Sequence, residues 1–362
     1  MPTGPSFEID KEALQRFSFL VFSKLEGAVT AGMIHLGDRL GLYGALAEAG
    51  APLTSQELAE RAGLHERWVR EWAYNQGAAH IIEVDDDERL SLTPEATAVL
   101  ATSQHEAFGM GMFHRLPQTM AALEVMPESF RTGTGHDYDS HGPEGAVGIE
   151  RSFEPWNQAH LLPTVLPALD GVEAALAAGA EVVDVGCGAG GAALAIGRAF
   201  PGSRVRGYDI SAYALARAEE RRVAEGVGNV SFHDPRQSSM PADGSVALVT
   251  TFDCLHDMTD PEGMAKAIRA ALRDDGTWLL VDIKAHDTYA LNAAKNPMAP
   301  LMYGISVLSC MSSALSVPDG AGLGTLGLPP AKAEALARAA GFSRFRRLAI
   351  DHSVNAFYEI RP

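Results

Sequence analysis

His256 stands in the run Thr251-Phe252-Asp253-Cys254-Leu255-His256-Asp257-Met258, directly after an apolar stretch. An imidazole there can accept a proton near neutral pH, because its ordinary pKa is about 6.5. Upstream, Val182-Val183-Asp184-Val185-Gly186-Cys187-Gly188-Ala189-Gly190-Gly191-Ala192 reads as a buried strand, a glycine turn and the start of a helix. Gly186 allows the tight turn, Gly188 lets a ligand approach the backbone, and the helix start offers free N–H groups, so a cofactor is the natural occupant. The spacing Gly186-x-Gly188-x-x-Gly191 also satisfies the dinucleotide fingerprint. Asp184 weighs against a pyrophosphate, which a carboxylate at the strand end would repel, and favours a cationic aminoacyl cofactor. Asp209, closing Arg206-Gly207-Tyr208-Asp209-Ile210, can accept both hydroxyls of a ribose and fits either class.

These residues need a parallel sheet to hold them at one edge. Apolar strands at 181–185, 204–208, 229–232, 246–251 and 277–282 alternate with helices at 190–200, 211–225 and 261–273, the pattern of an α/β fold covered on both faces. Residues 345–350 and 355–360 can add a final hairpin. Ligands of such sheets bind outside the carboxyl ends of the strands, where the glycine turn, Asp209 and His256 all fall.

The run Asp-Val-Gly-Cys-Gly-Ala-Gly, followed by Tyr-Asp-Ile-Ser, resembles the cofactor motifs of class I methyltransferases, over residues 181–362. The resemblance implies a seven-stranded Rossmann-like domain and S-adenosylmethionine as cofactor. Gly186 and Gly188 would pass beside its methionine moiety, with Cys187 in the same loop; Asp209 would hold the ribose hydroxyls and Ile210 would lie against the adenine. Family members often place an acid about four positions after the strand phenylalanine. Counting from Phe232 gives Arg236, so the adenine amino group falls to Asp234, two positions early, or to Gln237. Phe252, ending the fourth strand, joins the cofactor candidates. The Leu-His-Asp stretch is similar to the segment of plant-type O-methyltransferases in which the histidine is the general base, with Met258 where they carry tryptophan.

The N-terminal part adds a second expectation. Phe7 to Thr30 and Met33 to Ala47 show helical spacing; Thr54 and Glu57 form a capping box, Gly63 ends that helix, His65 to Gly77 forms the next, and Ile81–Val84 and Arg89–Thr93 flank an acidic turn. Together this is a winged helix. Its acidic wing tip would repel phosphate, Trp68 and Trp72 read as packing residues, and the net charge is −17, so nucleic acid is not an expected partner. The chain thus resembles bacterial two-domain small-molecule methyltransferases, related in plan to plant-type O-methyltransferases. Residues 1–102 form a helical, winged-helix dimerisation domain, 103–170 connector helices lining the substrate cleft, and 171–362 the methyltransferase domain with a substrate-covering insertion at 284–328.

Tyr138, Phe153, Trp156 and Asn157 of the connector, with Met298, Met302 and Tyr303 of the insertion, could wall an apolar acceptor pocket suited to an aromatic or heterocyclic metabolite. The expected chemistry is O-methylation first, with N- and C-methylation open and His256 as base or orienting group. A ligand-sensing winged-helix regulator and a non-methylating enzyme on the same fold are the alternatives. His136, Asp137, Asp139 and His141 read as a polar loop, and no metal is expected. Cys187, Cys254 and Cys310 lack pairing or ligand spacing and read as reduced thiols. No apolar run is read as long enough to cross a bilayer, and no signal segment is read at the start, so a cytoplasmic homodimer without a membrane partner is expected.

Overall fold

A computed structural model describes residues 9–362, so Phe7, where the first expected helix begins, lies outside the described residues. The chain divides into two compact units, the first ending at Leu116 and the second starting at Pro117.

In the first unit the first expected helix runs on through Gly32 as Lys11–Arg39, capped by the Asp10 carboxylate on the N–H groups of Glu12 and Ala13, and the second expected helix breaks at Gly41, φ +70°, to resume as Leu42–Glu48. Gly27 and Gly32 sit inside it with open space at their missing Cβ positions. Phe17, Phe19 and Phe22 are 64%, 77% and 68% exposed. This corrects the reading that no segment could span a bilayer: an eighteen-residue stretch of the helix has a mean hydropathy of 1.3 with only 11% of it buried, because Lys24 and Glu26 are the sole charges between Arg16 and His35.

The winged helix follows. Helix Ser55–Ala62 carries the Thr54–Glu57 capping box and ends on Gly63 at φ +66°; helix Glu66–Ala78 comes next. Strands β1 (Glu83–Val84) and β2 (Leu90–Ser91) pair antiparallel as the wing. Trp72 is buried and meets the Tyr43 ring edge-on at 5.5 Å, but Trp68 is 79% exposed. The paired packing role is therefore wrong for Trp68: the buried face runs through Val69, Ala73 and Gln76, which turns Trp68 about a quarter turn away.

The second unit is built on a seven-stranded sheet. Its strands are β3 (Glu181–Val185), β4 (Arg204–Tyr208), β5 (Val230–His233), β6 (Val246–Phe252), β7 (Leu272–Ile283), β8 (Arg344–Arg347) and β9 (Asn355–Arg361). The spatial order is β5-β4-β3-β6-β7-β9-β8, with β9 antiparallel to both its neighbours and the other pairs parallel. Val182, Leu248, Leu279 and Phe357 pack into one cluster, and Val183, Val249, Leu280 and Tyr358 into another. Successive residues of each strand thus enter opposite cores, so the strands read as continuous apolar runs.

Helix Gly142–His160 is locked to helix Ala212–Ala224 by two ion pairs, Arg217 Nε to Glu150 at 2.7 Å and Arg221 Nη2 to Glu154 at 2.6 Å. Trp278 of β7 is fully buried, stacks 5.4 Å from Phe342 and donates its indole N–H to Thr251 at 2.9 Å. Trp278→Ala should lower unfolding free energy by about 3–5 kcal/mol in urea denaturation, by leaving a cavity between β6, β7 and the C-terminal helix.

Candidate active site

The glycine turn leaves β3 beside β4. The N–H groups of Gly186 and Cys187 both donate to the Tyr208 carbonyl, at 2.8 and 3.1 Å, which folds the turn across the end of β4. Gly186, Gly188 and Gly190 have φ of +67°, +53° and +79°, where side chains are strained. A Cβ on Gly190 would lie 2.4 Å from the Phe232 ring, whereas one on Gly188 would meet nothing within 4 Å, so free space borders the backbone at Gly188. Asp209 closes this space. Its carboxylate accepts the Gly188 N–H and the Ser211 N–H, both at 2.8 Å, and burial holds its pKa above the usual range.

The connector brings in a carboxylate that the sequence did not single out for this place. Asp139 accepts the Ala212 N–H at 3.0 Å through Oδ2, and its charge acts on Asp209. Its Oδ1 is buried without a partner. An unpartnered acceptor oxygen next to Asp209 fits a ribose, whose hydroxyls are donors. Tyr138, one position earlier, opens the same short helix, Tyr138–His141.

Asp184 takes a different role from the one expected. It is fully buried, accepts the Thr250 hydroxyl at 2.6 Å and the Ala193 N–H, and faces protein on every side. It supports the turn from beneath and cannot screen a ligand by charge; burial raises its pKa to about 7. Cys187 is likewise buried and its thiol is pushed up by burial, so only its backbone belongs to the loop surface. A carboxylate does stand beside the helix start. A Cβ on Gly191 would lie 2.2 Å from Glu154, whose partner Arg221 also donates to the Ala189 carbonyl at 3.3 Å.

Ile210 is 48% exposed beyond Asp209. The Arg236 guanidinium donates to the Ile210 carbonyl at 2.7 Å and to Asp234 at 2.8 Å, and Gln237 reaches Asp234 at 3.4 Å. Ile210, Asp234 and Gln237 therefore do gather at one place, with Arg236 as their link.

His256 lies in a short 3-10 turn, Leu255–Asp257, after β6, and is 2% exposed. Its Nδ1 bonds Asp282 Oδ1 at 2.7 Å. Burial alone would lower its pKa, but the Asp282 charge and a hydrogen bond with Cys310 raise it well above the ordinary imidazole value. Asp253, at φ +48°, is raised to about 7 by burial and by Asp282, and it accepts from the Asn355 amide. Asp282, Asp253 and Cys310 were not singled out from sequence. The one available signal was a carboxylate ending the apolar run Trp278–Val281.

Trp156 is half-buried at the margin of the core, its ring packed on His352 at 4.6 Å, His160 at 4.8 Å and Phe357 at 5.3 Å. Phe153 and Asn157 are half-buried on the same helix. Phe252 is partly buried against the sheet core. Met298 is 41% exposed, while Met302 and Tyr303 are half-buried, the latter 5.8 Å from Tyr289.

Asp184 and Asp253 give stability a defined pH dependence. Below the ordinary carboxyl range both folded and unfolded chains hold these protons; between about pH 4 and 7 only the folded chain does, so each group lowers stability by up to about 1.4 kcal/mol per pH unit as pH rises. Asp184→Asn should remove one of the two contributions, giving a shallower loss of urea stability between about pH 5 and pH 7.

Comparison with known proteins agrees with this geometry. A family model described as a methyltransferase domain matches residues 183–278, and one described as an Rv2258c-like winged HTH domain matches residues 28–102. The ubiquinone biosynthesis O-methyltransferase of Cupriavidus pinatubonensis is 35% identical over 126 residues, 34% of this chain and 48% of that protein, so the match spans about half of the relative's length. The mitomycin 7-O-methyltransferase MmcR superimposes with a TM-score of 0.70 at 19% identity, covering 97% of this chain and 99% of that one. Human N-acetylserotonin methyltransferase in complex with SAM superimposes at 0.68 and 16% identity, covering 99% of each. Residues 183–278 thus match a methyltransferase-domain model and residues 28–102 an Rv2258c-like winged HTH model, on a fold that the chain shares along its length with these two methyltransferases.

Proposed function

We propose that the protein transfers a methyl group from S-adenosylmethionine to a small aromatic or heterocyclic metabolite, most simply at a hydroxyl oxygen, with His256 handling the acceptor. The observation that carries this reading is the buried His256–Asp282 pair on the sheet edge that also bears the glycine turn and Asp209. The curated relative and several neighbours in structure are named as O-methyltransferases, which supports oxygen as the acceptor atom.

When bound, the cofactor supplies an electrophilic methyl on its sulfonium for in-line displacement. The backbone at Gly186 and Gly188 would border its amino-acid portion. Asp209 and Asp139 would accept the ribose hydroxyls, and Ile210 with the Asp234–Arg236–Gln237 group would meet the adenine. Asp282 holds Nδ1 and fixes the imidazole, so an acceptor hydroxyl would reach Nε2 by displacing the Cys310 thiol, and there His256 would orient the hydroxyl and receive its proton. Tyr138, Phe153, Asn157, Met298, Met302 and Tyr303 are the proposed acceptor wall.

His256→Asn should reduce turnover by about 10²- to 10⁴-fold while S-adenosylhomocysteine affinity, measured calorimetrically, stays within a few-fold. Wild-type turnover in that variant would remove His256 from the chemistry. Because Asp282 raises the imidazole pKa, the rate should climb with pH along a limb displaced above the ordinary imidazole range. In Asp282→Asn burial dominates, so the limb should move to lower pH with a reduced plateau.

The exposed apolar length of helix Lys11–Arg39 supports a homodimer, since phenylalanines at positions 17, 19 and 22 would otherwise remain in water. Phe19→Glu combined with Phe22→Glu should give a monomer by light scattering. A monomeric wild-type chain that floats with lipid vesicles would favour a membrane surface as the occupant.

A further inference from the structure

We propose that His256, Asp257 and Cys310 form a binding site for one zinc-class divalent cation. One ligand atom from each, an imidazole nitrogen, a carboxylate oxygen and the Cys310 sulfur, lie within 4.8 Å of one another. Tetrahedral zinc holds nitrogen and oxygen at about 2.0 Å and sulfur at about 2.3 Å, so these ligand atoms would stand about 3.3–3.5 Å apart. Closing on the ion shortens a separation by at most about 1.5 Å, which the Asp257 and Cys310 side chains can share by rotation.

Three features beyond proximity favour a metal. The donor set of imidazole, thiolate and carboxylate selects zinc-like ions over magnesium or calcium, which prefer oxygen alone. The Nδ1 of His256 is already held by Asp282, which leaves Nε2 to the Cys310 side, and a carboxylate behind the imidazole is the usual outer support of a metal-bound histidine. Finally, Cys310 ends a π-helical segment, Ser306–Cys310, between helices Ala299–Ile305 and Met311–Ala314. The widened turn shifts the helix phase and carries the sulfur to the His256 turn, to which it is hydrogen-bonded.

Binding exchanges protons and no electrons. The Cys310 thiol and any protonated Nε2 release their protons to solvent, and three protein ligands leave the fourth position open to water or to an acceptor heteroatom. A second consequence rests on the methyl-transfer reading above: a metal on Nε2 blocks its use as a base, so the cation slows turnover.

The test uses the full chain, stripped with chelator under reducing conditions. Cobalt(II) titration should give one equivalent bound, tetrahedral visible bands and a thiolate-to-cobalt charge-transfer band in the near ultraviolet. Zinc should displace it. Cys310→Ser should abolish the charge-transfer band and weaken zinc binding, read by competition with a chromophoric chelator, by at least about 10-fold, and Asp257→Asn should weaken it while keeping the band. Thermal melting of each variant separates loss of a ligand from loss of fold. An unchanged zinc affinity in folded Cys310→Ser, or a cobalt complex without a thiolate band, overturns the site. Stoichiometric binding with the band but undiminished turnover supports the site and overturns His256 as base.

Discussion

The parallel register of β6 on β7, with Phe252 opposite Val281, is the constraint on which the site depends. It ends the two strands at the same height, so that Asp253 donates its N–H to the Val281 carbonyl and the 3-10 turn bearing His256 falls against Asp282. On the other side, β3 sits between β4 and β6 with Val185 opposite both Tyr208 and Thr251. The glycine turn, Asp209 and His256 consequently emerge along one sheet edge. Sliding either pairing by one residue would turn each side chain toward the opposite core.

That edge concentrates polar groups where burial is costly. The Oδ2 atoms of Asp253 and Asp282 and the Oδ1 of Asp139 are buried without hydrogen-bond partners, and an unsatisfied buried group costs about 1–3 kcal/mol. Other buried polar groups of the unit are satisfied directly, as with Thr250 on Asp184 and Trp278 on Thr251. Backbone conformation adds to the cost at this edge. Asp253 is held at φ +48° beside three positive-φ glycines of the turn, and backbone cost of this kind persists where ligand geometry requires it.

Cofactor choice shows how a correct conclusion can rest on the wrong residue. Asp184 was the expected barrier to a pyrophosphate, yet it lies under the turn, bonded to Thr250 and Ala193. The carboxylate that does lie beside the loop is Glu154, brought against Gly191 by helix Gly142–His160 and paired with Arg221. Because Glu154 and Gly191 meet only when two helices pack, spacing along the chain could not reveal this.

What the sequence determined by itself is whatever local periodicity and short spacing encode. The strands at 181–185 and 204–208, the glycine turn and the Thr54–Glu57 capping box each depend on residues a few positions apart. It also placed Ile210, Asp234 and Gln237 together, since they flank neighbouring strand ends. Tertiary structure alone decided the partners of the reactive groups: Asp282 and Cys310 at His256, Asp139 beside Asp209, and the His352 and Phe357 rings at Trp156. The reason is physical. A side chain's type fixes what it can donate or accept, but its pKa, reach and freedom are set by the charges and surfaces packed against it, and those come from segments far away in the chain.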